Sequence, residues 1–361
     1  MRRSGAPVCP GHHSRRKILS ANRLPGVSFI GLGWWGEVLA GAAQASGAVS
    51  IAGGYARTPA TRAGFAAKYG CRDYGSLDEL LDDSACEAVV IASANAVHKE
   101  QAVAAARAGK HVHLEKPMAL SVSDAQEIVA ACAEAGVKLS IGQNFRRWPM
   151  FRHAKKMIDA GELGTISLAL GHFSNNLGLT AGAESMRWDP VENPGGPLYS
   201  YTLHLGDLME TLFGEVESVE ASCGKVGGPS RTDDVAAGVL RFRSGMLGIL
   251  SGSYMAPFHF RFGIEGTEGA LHISSAGPPV FQKMGEQMNE AKELEGVPGF
   301  WDGRDGANAE QFTDLARCIK GEGEPEVTGV HGVRALAVMR AMLRSHAERR
   351  AVTMEEILES D

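Results

Sequence analysis

Three glycines spaced as Gly31-Leu-Gly33-Trp-Trp-Gly36 are the residues of this chain whose types and spacing most directly imply chemistry. Glycine at the first position permits a tight turn, at the second it lets backbone N–H groups approach a pyrophosphate, and at the third it lets a helix pack closely on a strand. The chemistry implied is the cradling of dinucleotide phosphates at a helix N-terminus, where unpaired N–H groups and the helix dipole favour an anion. The pattern carries that meaning only between a strand and a helix. Here Pro25-Gly-Val-Ser-Phe-Ile30 is short and apolar, and Glu37 to Ser46 is rich in alanine with a helical pattern.

The position that reads the ribose points to the cofactor's type. Dinucleotide folds place an acidic residue about 20 residues beyond the glycines to hold the ribose 2′-hydroxyl. Ala56 stands in that place, followed by Arg57-Thr58-Pro59. A carboxylate would repel a 2′-phosphate and alanine does not. Arg57 can pair with the phosphate, Thr58 can donate its hydroxyl, and Arg62 lies one helical turn on. NADP(H) is therefore favoured over NAD(H), the alternative being that Arg57 stacks on adenine and NAD(H) still binds. Trp34 and Trp35 are bulky for a phosphate turn, and one of them is expected beside the nicotinamide unless both simply pack.

The elements that must position these residues alternate from Val27 onward. Strands are expected at Ala48–Ala56, Cys86–Ser93, His111–Leu114 and Val137–Gly142. Helices are expected at Pro59–Tyr69, Asp78–Leu81, Lys99–Ala108 and Ser123–Ala135, the last with Ser123 as N-cap and Gly136 beyond its end. Repeated βα units argue for a Rossmann-type, doubly wound parallel sheet over residues 25–145. After a helix at Met150–Ala160 the pattern turns to strands. Val235–Arg243 with Met246–Tyr254, and Phe260–Glu265 with Ala270–Ile273, read as hairpins. Residues 277–306 read as irregular, and helices at Gln311–Ile319 and Gly332–Arg349 follow. Residues 146–361 are thus expected to form an α+β domain with a largely antiparallel, open-faced sheet, through which a homo-oligomer (dimer or tetramer) is expected to form. The overall class is α/β.

Bulk properties narrow the partners. At 361 residues the chain can build two cores. Its 44% hydrophobic and 22% charged content is that of a globular protein. A net charge of −6 leaves no footprint for nucleic acid, and no apolar run reaches membrane-spanning length, so a small-molecule substrate is expected. The six cysteines (Cys9, Cys71, Cys86, Cys132, Cys223, Cys318) are scattered without a C-x-x-C pair. That spacing indicates neither a metal site nor a disulfide framework and agrees with a reducing cytoplasmic location. Residues 1–24, with six basic side chains, no acid and the pair His12-His13, read as a disordered basic tail. Arg2-Arg3 has no apolar segment behind it, which argues against an export signal.

Further along, Val89-Val-Ile-Ala92-Ser-Ala-Asn95-Ala-Val-His98 is followed by His111-Val-His-Leu-Glu115-Lys116-Pro117-Met118, Gly142-Gln-Asn144-Phe-Arg146 and Gly161-Glu-Leu-Gly164. In this order and spacing the chain resembles the Gfo/Idh/MocA family of nicotinamide-dependent oxidoreductases from about Val27 to Val352. The resemblance implies that Ala92, Asn95, His98 and Asn144 line the cofactor and that Glu115 bonds the nicotinamide ribose. It also implies that Lys116 meets the substrate hydroxyl and that Pro117 fixes the turn, commonly with a cis bond. A lysine beside a positively charged nicotinamide should have a lowered pKa, because like charges disfavour its protonation. It can then steady a developing alkoxide or relay its proton.

The segment Pro194-Gly195-Gly196-Pro197-Leu-Tyr199-Ser200-Tyr201-Thr202-Leu-His204-Leu-Gly-Asp207 resembles the family's second catalytic stretch. His204 matches the usual general base and Asp207 the aspartate one turn later. Ser200 stands where the sugar and inositol enzymes usually carry an aspartate, so His204 lacks a carboxylate that would orient it and raise its pKa. Ser200 and His204, four residues apart, can share one helix face, while Tyr201 is aimed away from it. Arg146, Arg187, Trp188, Tyr201 and His172 are expected to line the substrate cleft, with an arginine suited to a carboxylate. The implied activity is hydride transfer between nicotinamide C4 and a secondary alcohol or ketone carbon of a sugar, polyol or cyclic diol. Two alternatives are a cofactor-binding sensor without turnover, favoured by Ser200, and an enzyme with resident nicotinamide as a redox relay.

Overall fold

The computed structural model describes residues 23–182, 185–228 and 231–361. Most of the basic tail, with Cys9 and His12-His13, lies outside the described residues. Arg23, assigned to that tail, is held to Glu87 by an ion pair of 2.7 Å.

The first half runs β1 (Gly26–Ile30), α1 (Trp34–Ser46), β2 (Ser50–Tyr55), α2 (Pro59–Tyr69), β3 (Arg72–Asp73), α3 (Leu77–Asp82), β4 (Ala88–Ile91), α4 (His98–Arg107), β5 (His111–Leu114), α5 (Val122–Glu134) and β6 (Leu139–Ile141). The strands form one sheet in the order β3-β2-β1-β4-β5-β6, with every pair parallel. The order reverses between β1 and β4, and in such sheets a ligand sits outside the carboxyl ends of the strands at that point. Strands β1 and β4 are buried along their whole length, as a sheet covered on both faces requires. Helix α5 is capped by Ser121, whose Oγ accepts from Asp124 N, rather than by Ser123. The two serines fit the same capping rule, and only the backbone shows which one lies outside the helix. Strand β3, two residues long, is too short to leave a periodic signal.

Helix α6 (Pro149–Asp159) leads into the second half: β7 (Ile166–Ser174), α7 (Leu177–Thr180), α8 (Leu203–Phe213), β8 (Val216–Gly224), β9 (Val235–Phe242), β10 (Leu247–Ser253), β11 (His259–Gly266), β12 (Gly269–Ser274), β13 (Gly277–Lys283), β14 (Lys292–Glu293), α9 (Arg304–Ile319), α10 (Gly329–Glu348), β15 (Val352–Thr353) and α11 (Met354–Ser360). Its sheet has the order β14-β13-β12-β11-β7-β10-β9-β8-β15 and is antiparallel except where β10 lies parallel to β7. The region expected to be irregular from residue 277 instead supplies β13, β14 and the start of α9. Its glycines and prolines hide pairing that is set by β12. One face of the sheet packs on α8 and α10, while Val239, Leu247 and Ile249 stand exposed on the other.

The last part of the chain returns to the first sheet. Phe312, Leu315 and Ala316 of α9 share a core with Val27 and Phe29 of β1, Leu39 of α1 and Val90 of β4. Beside β6, Val327 O accepts from Ile141 N at 2.9 Å. Among the described residues no helix is long and apolar enough to cross a membrane.

Candidate active site

A cavity of about 520 Å³ opens between the carboxyl ends of the first sheet and the inner face of the second. At its nucleotide end the three glycines have the geometry their spacing predicts. Gly31 has φ +91°, and a Cβ there would strike the Ala92 carbonyl oxygen at 2.6 Å. A Cβ at Gly36 would lie 2.1 Å from Gly31 O, while at Gly33 nothing lies within 4 Å. The turn is thus closed on the protein side and open on the side a pyrophosphate approaches, so the residues present fit a dinucleotide. Trp34 is exposed at the rim, and Trp35 lines the wall with its Nε1 buried and unpaired.

At the ribose end, Arg57 and Thr58 are exposed just past β2. Arg62 is less free than expected: its Nε pairs with Asp73 at 2.8 Å and its Nη1 donates to Ala56 O at 3.1 Å. Ala92 and Asn95 reach the wall from the segment after β4, and Asn95 Nδ2 donates to Glu192 O at 2.7 Å. His98 is buried between Pro117 O and Ser93 O, and burial lowers its pKa, so it is a neutral spacer. Asn144 lines the wall and donates to Asn308 Oδ1 at 2.9 Å, leaving its own Oδ1 unpaired.

Glu115 and Lys116 lie at the end of β5, and the Lys116–Pro117 bond is cis. Glu115 is buried; Oε2 accepts from Lys116 N at 3.2 Å and Oε1 has no partner. Burial pushes this carboxyl up to about 7, against the pull of Trp35 and Lys116. Gly142 makes room for it, since a Cβ there would fall 2.4 Å from Oε1. Lys116 Nζ crosses the cavity and donates to the Ser200 carbonyl at 2.9 Å. Burial lowers this ammonium to about 8; Glu115 opposes that shift and Arg187 adds to it.

The opposite wall is the entry to α8. Leu198–Thr202 form a π-turn, with the Leu203 N–H reaching back to Leu198 O. The wider turn changes which side chains share a face. Tyr201, expected to point away, lines the cavity together with Ser200 and His204. His204 stacks on Phe145, with ring centroids 4.3 Å apart and planes 8° from parallel, and its Nδ1 is buried without a partner. Burial and then the Lys116 charge hold its pKa well below the usual value, so the imidazole is neutral. Ser200 Oγ is paired with the hydroxyl of buried Tyr254.

Three expected cleft residues are elsewhere. Arg146 is buried in a bidentate pair with Asp207, at 2.7 and 2.6 Å. Trp188 is buried behind the wall, its Nε1 donating to Gly182 O and its ring meeting the Tyr254 ring edge-on. His172 alternates with the cavity-lining Phe173 along β7, so it faces the other side of the sheet, bonded to Ser251 Oγ at 2.8 Å. Sequence reasoning missed Glu192, Phe258 and Trp301 from loops and Arg304 at the start of α9, all on the wall, and Tyr254 behind Ser200; none carries a motif of its own. Arg187 does line the wall.

Two family models match the chain: the oxidoreductase family with NAD-binding Rossmann fold over residues 26–143, and the GFO/IDH/MocA C-terminal domain over residues 151–272. The chain is 31% identical over 287 residues to the 1,5-anhydro-D-fructose reductase of Ensifer adhaerens, covering 78% of this chain and 83% of that protein. It is 29% identical over 303 residues to the myo-inositol 2-dehydrogenase of Thermotoga maritima, covering 79% and 85%. A crystal structure of a candidate NADPH-dependent oxidoreductase from Desulfitobacterium hafniense superposes with a TM-score of 0.87 at 28% identity, covering 93% of this chain and 99% of that one.

Proposed function

Because this chain belongs to the Gfo/Idh/MocA family of oxidoreductases, we propose that it is an NAD(P)-dependent dehydrogenase or reductase acting on the CH–OH group of a sugar, polyol or cyclic diol. The observation that carries this reading is Lys116, a cation lowered to about 8 and held on the Ser200 carbonyl in the cavity that begins at the glycine turn. A nicotinamide, when bound, supplies or accepts the hydride. The glycine turn would hold its pyrophosphate, and Glu115 would receive its ribose. In the reducing direction the Lys116 ammonium donates a proton to the oxygen that becomes alkoxide. In the oxidising direction the neutral amine takes that proton from the hydroxyl. His204, neutral and pinned against Phe145, orients the same oxygen by a hydrogen bond. Ser200 has no carboxylate to charge the imidazole, which leaves Lys116 as the group that changes protonation.

NADP(H) is the preferred cofactor in this reading, supported by Ala56 in the acidic position and by the exposed Arg57 and Thr58. Asp73 on Arg62 leaves Arg57 as the main phosphate partner. The apolar outer face around Val239, Leu247 and Ile249 is where copies of the chain would associate.

Titrating the protein with NADPH and NADH, followed by nicotinamide fluorescence, tests the cofactor. Tighter NADPH binding that Arg57→Ala abolishes supports the reading, and equal binding refutes the preference alone. Turnover of 1,5-anhydro-D-fructose or myo-inositol tests the reaction. A chain that binds neither nucleotide ends the proposal.

A further inference from the structure

Arg187 stands at the cavity wall, exposed, and among the described residues its guanidinium has no hydrogen-bond or ion-pair partner. Its backbone is tied to the reacting end of the cavity: Arg187 O accepts from Asn193 Nδ2 at 3.0 Å, that amide also meets the Tyr254 hydroxyl at 3.2 Å, and Tyr254 bonds Ser200, whose carbonyl holds Lys116. Neither acidic group on this wall pairs with Arg187. Glu115 lies beneath Lys116, and Glu192 turns its carboxylate to the Ala96 N–H at 3.3 Å. The same cavity carries an exposed aromatic rim. Phe258 is 40% exposed and Trp301 54% exposed, their rings 4.9 Å apart, with Tyr201 deeper in the cavity. Exposed rings of this size beside a cavity favour a flat, partly apolar ligand. An unpaired guanidinium favours a planar anion that it can hold with two parallel hydrogen bonds.

We propose that the substrate is a ring-bearing hydroxy acid whose carboxylate is held by Arg187 while its ring lies against Tyr201, Phe258 and Trp301. This deepens the proposed function and rests on it, because the carbinol must meet Lys116. The charge of the carboxylate also offsets that of Arg187 beside Lys116, which places the anion where it eases protonation of the lysine.

The test needs no turnover. Benzoate and its neutral isostere benzamide are titrated into the NADPH-bound protein, with tryptophan fluorescence as the readout. The expected result is benzoate binding at least tenfold tighter than benzamide, as a charge-assisted bidentate pair implies. Arg187→Gln should erase the difference, Arg187→Lys should restore part of it, and Arg107→Gln, at the exposed end of α4 and off the cavity wall, should leave it unchanged. Equal binding of the two probes, binding of neither, or a preference that survives Arg187→Gln overturns the proposal. A preference seen without nucleotide and abolished by NADPH gives Arg187 to the cofactor phosphates and overturns it as well. NADPH binding is read separately, so failure here leaves the oxidoreductase reading standing, and failure of the nucleotide to bind removes that reading by itself.

Discussion

Two pairs of oppositely charged residues lie close together around the cavity, and they are finished to different degrees. Arg146 and Asp207, 61 residues apart, satisfy each other with two short bonds and are closed off from solvent. Glu115 and Lys116, adjacent in sequence, do not. The lysine reaches for a backbone carbonyl, one carboxylate oxygen accepts from a backbone N–H, and the other has no well-formed hydrogen bond, with the Trp35 indole beside the carboxylate. Burial drives their pKa values toward each other, to about 7 and about 8. The satisfied pair fixes α8 against the segment after β6. The unsatisfied pair keeps its bonding capacity for a ligand, and both its members titrate near neutrality. Perturbed ionisable groups with open valences in a cleft are what an acid–base site requires.

Breaking each pair should therefore give opposite phenotypes. Lys116→Met should lower turnover by about 10²–10⁴-fold, the usual contribution of a positioned acid–base group. NADPH affinity and the unfolding midpoint should change little, and a variant with near-normal turnover would remove Lys116 from the chemistry. Asp207→Leu strands a buried guanidinium and should cost about 3–5 kcal/mol of stability, read from denaturant unfolding. Adding Arg146→Met should recover much of that loss, and no recovery would mean that Arg146 has another partner.

The pH profile sharpens the same contrast. Reduction of a ketone needs the ammonium form of Lys116, so its rate should fall about tenfold per pH unit above about 8. Oxidation of the alcohol needs the amine, so its rate should rise up to about 8 and then level off. Identical profiles in the two directions would point to a proton carrier other than Lys116. The smallest effect is expected at Tyr254, whose hydroxyl meets Ser200 Oγ and Gly196 O, the latter at 3.0 Å. Tyr254→Phe should cost about 1 kcal/mol of stability, the net worth of a typical hydrogen bond. It should also loosen the carbonyl that holds Lys116, shifting the pH midpoint of activity. A lower melting temperature with an unmoved midpoint would make Tyr254 structural only.

The contrast between the two walls also explains what the sequence could reveal. The nucleotide end is made of backbone, and backbone geometry needs particular residues at adjacent positions. Gly31, Gly33 and Gly36 are therefore legible, and so are the strands around them, whereas the Glu115-Lys116-Pro117 run is legible only through the family it resembles. The opposite wall is made of side chains brought together by tertiary packing. Tyr254 meets Ser200 across 54 residues, and Arg146 leaves the cleft because Asp207 lies opposite it in space. Tyr201 lies in the cleft as expected, but helix spacing aimed it away from the Ser200 and His204 face, because that spacing does not apply across the π-turn at Leu198–Thr202, which no residue pattern announces. The second sheet was legible where its hairpins are tight, as at Ser244-Gly245, and illegible along β13, whose partner strand dictates its pairing.

The return of α9 to the first core has a consequence for how the protein is made. Phe312 packs on Phe29 and His113, and with Leu315 and Ala316 it lies beside α1 and completes the cover of the same sheet face. A nascent chain of the first 145 residues therefore carries its glycine turn above a core with one wall missing. That core cannot be sealed until residue 319 has been synthesised, more than 170 residues later. Throughout that interval the growing chain exposes an apolar flank of the kind that chaperones protect and that aggregates when they are scarce.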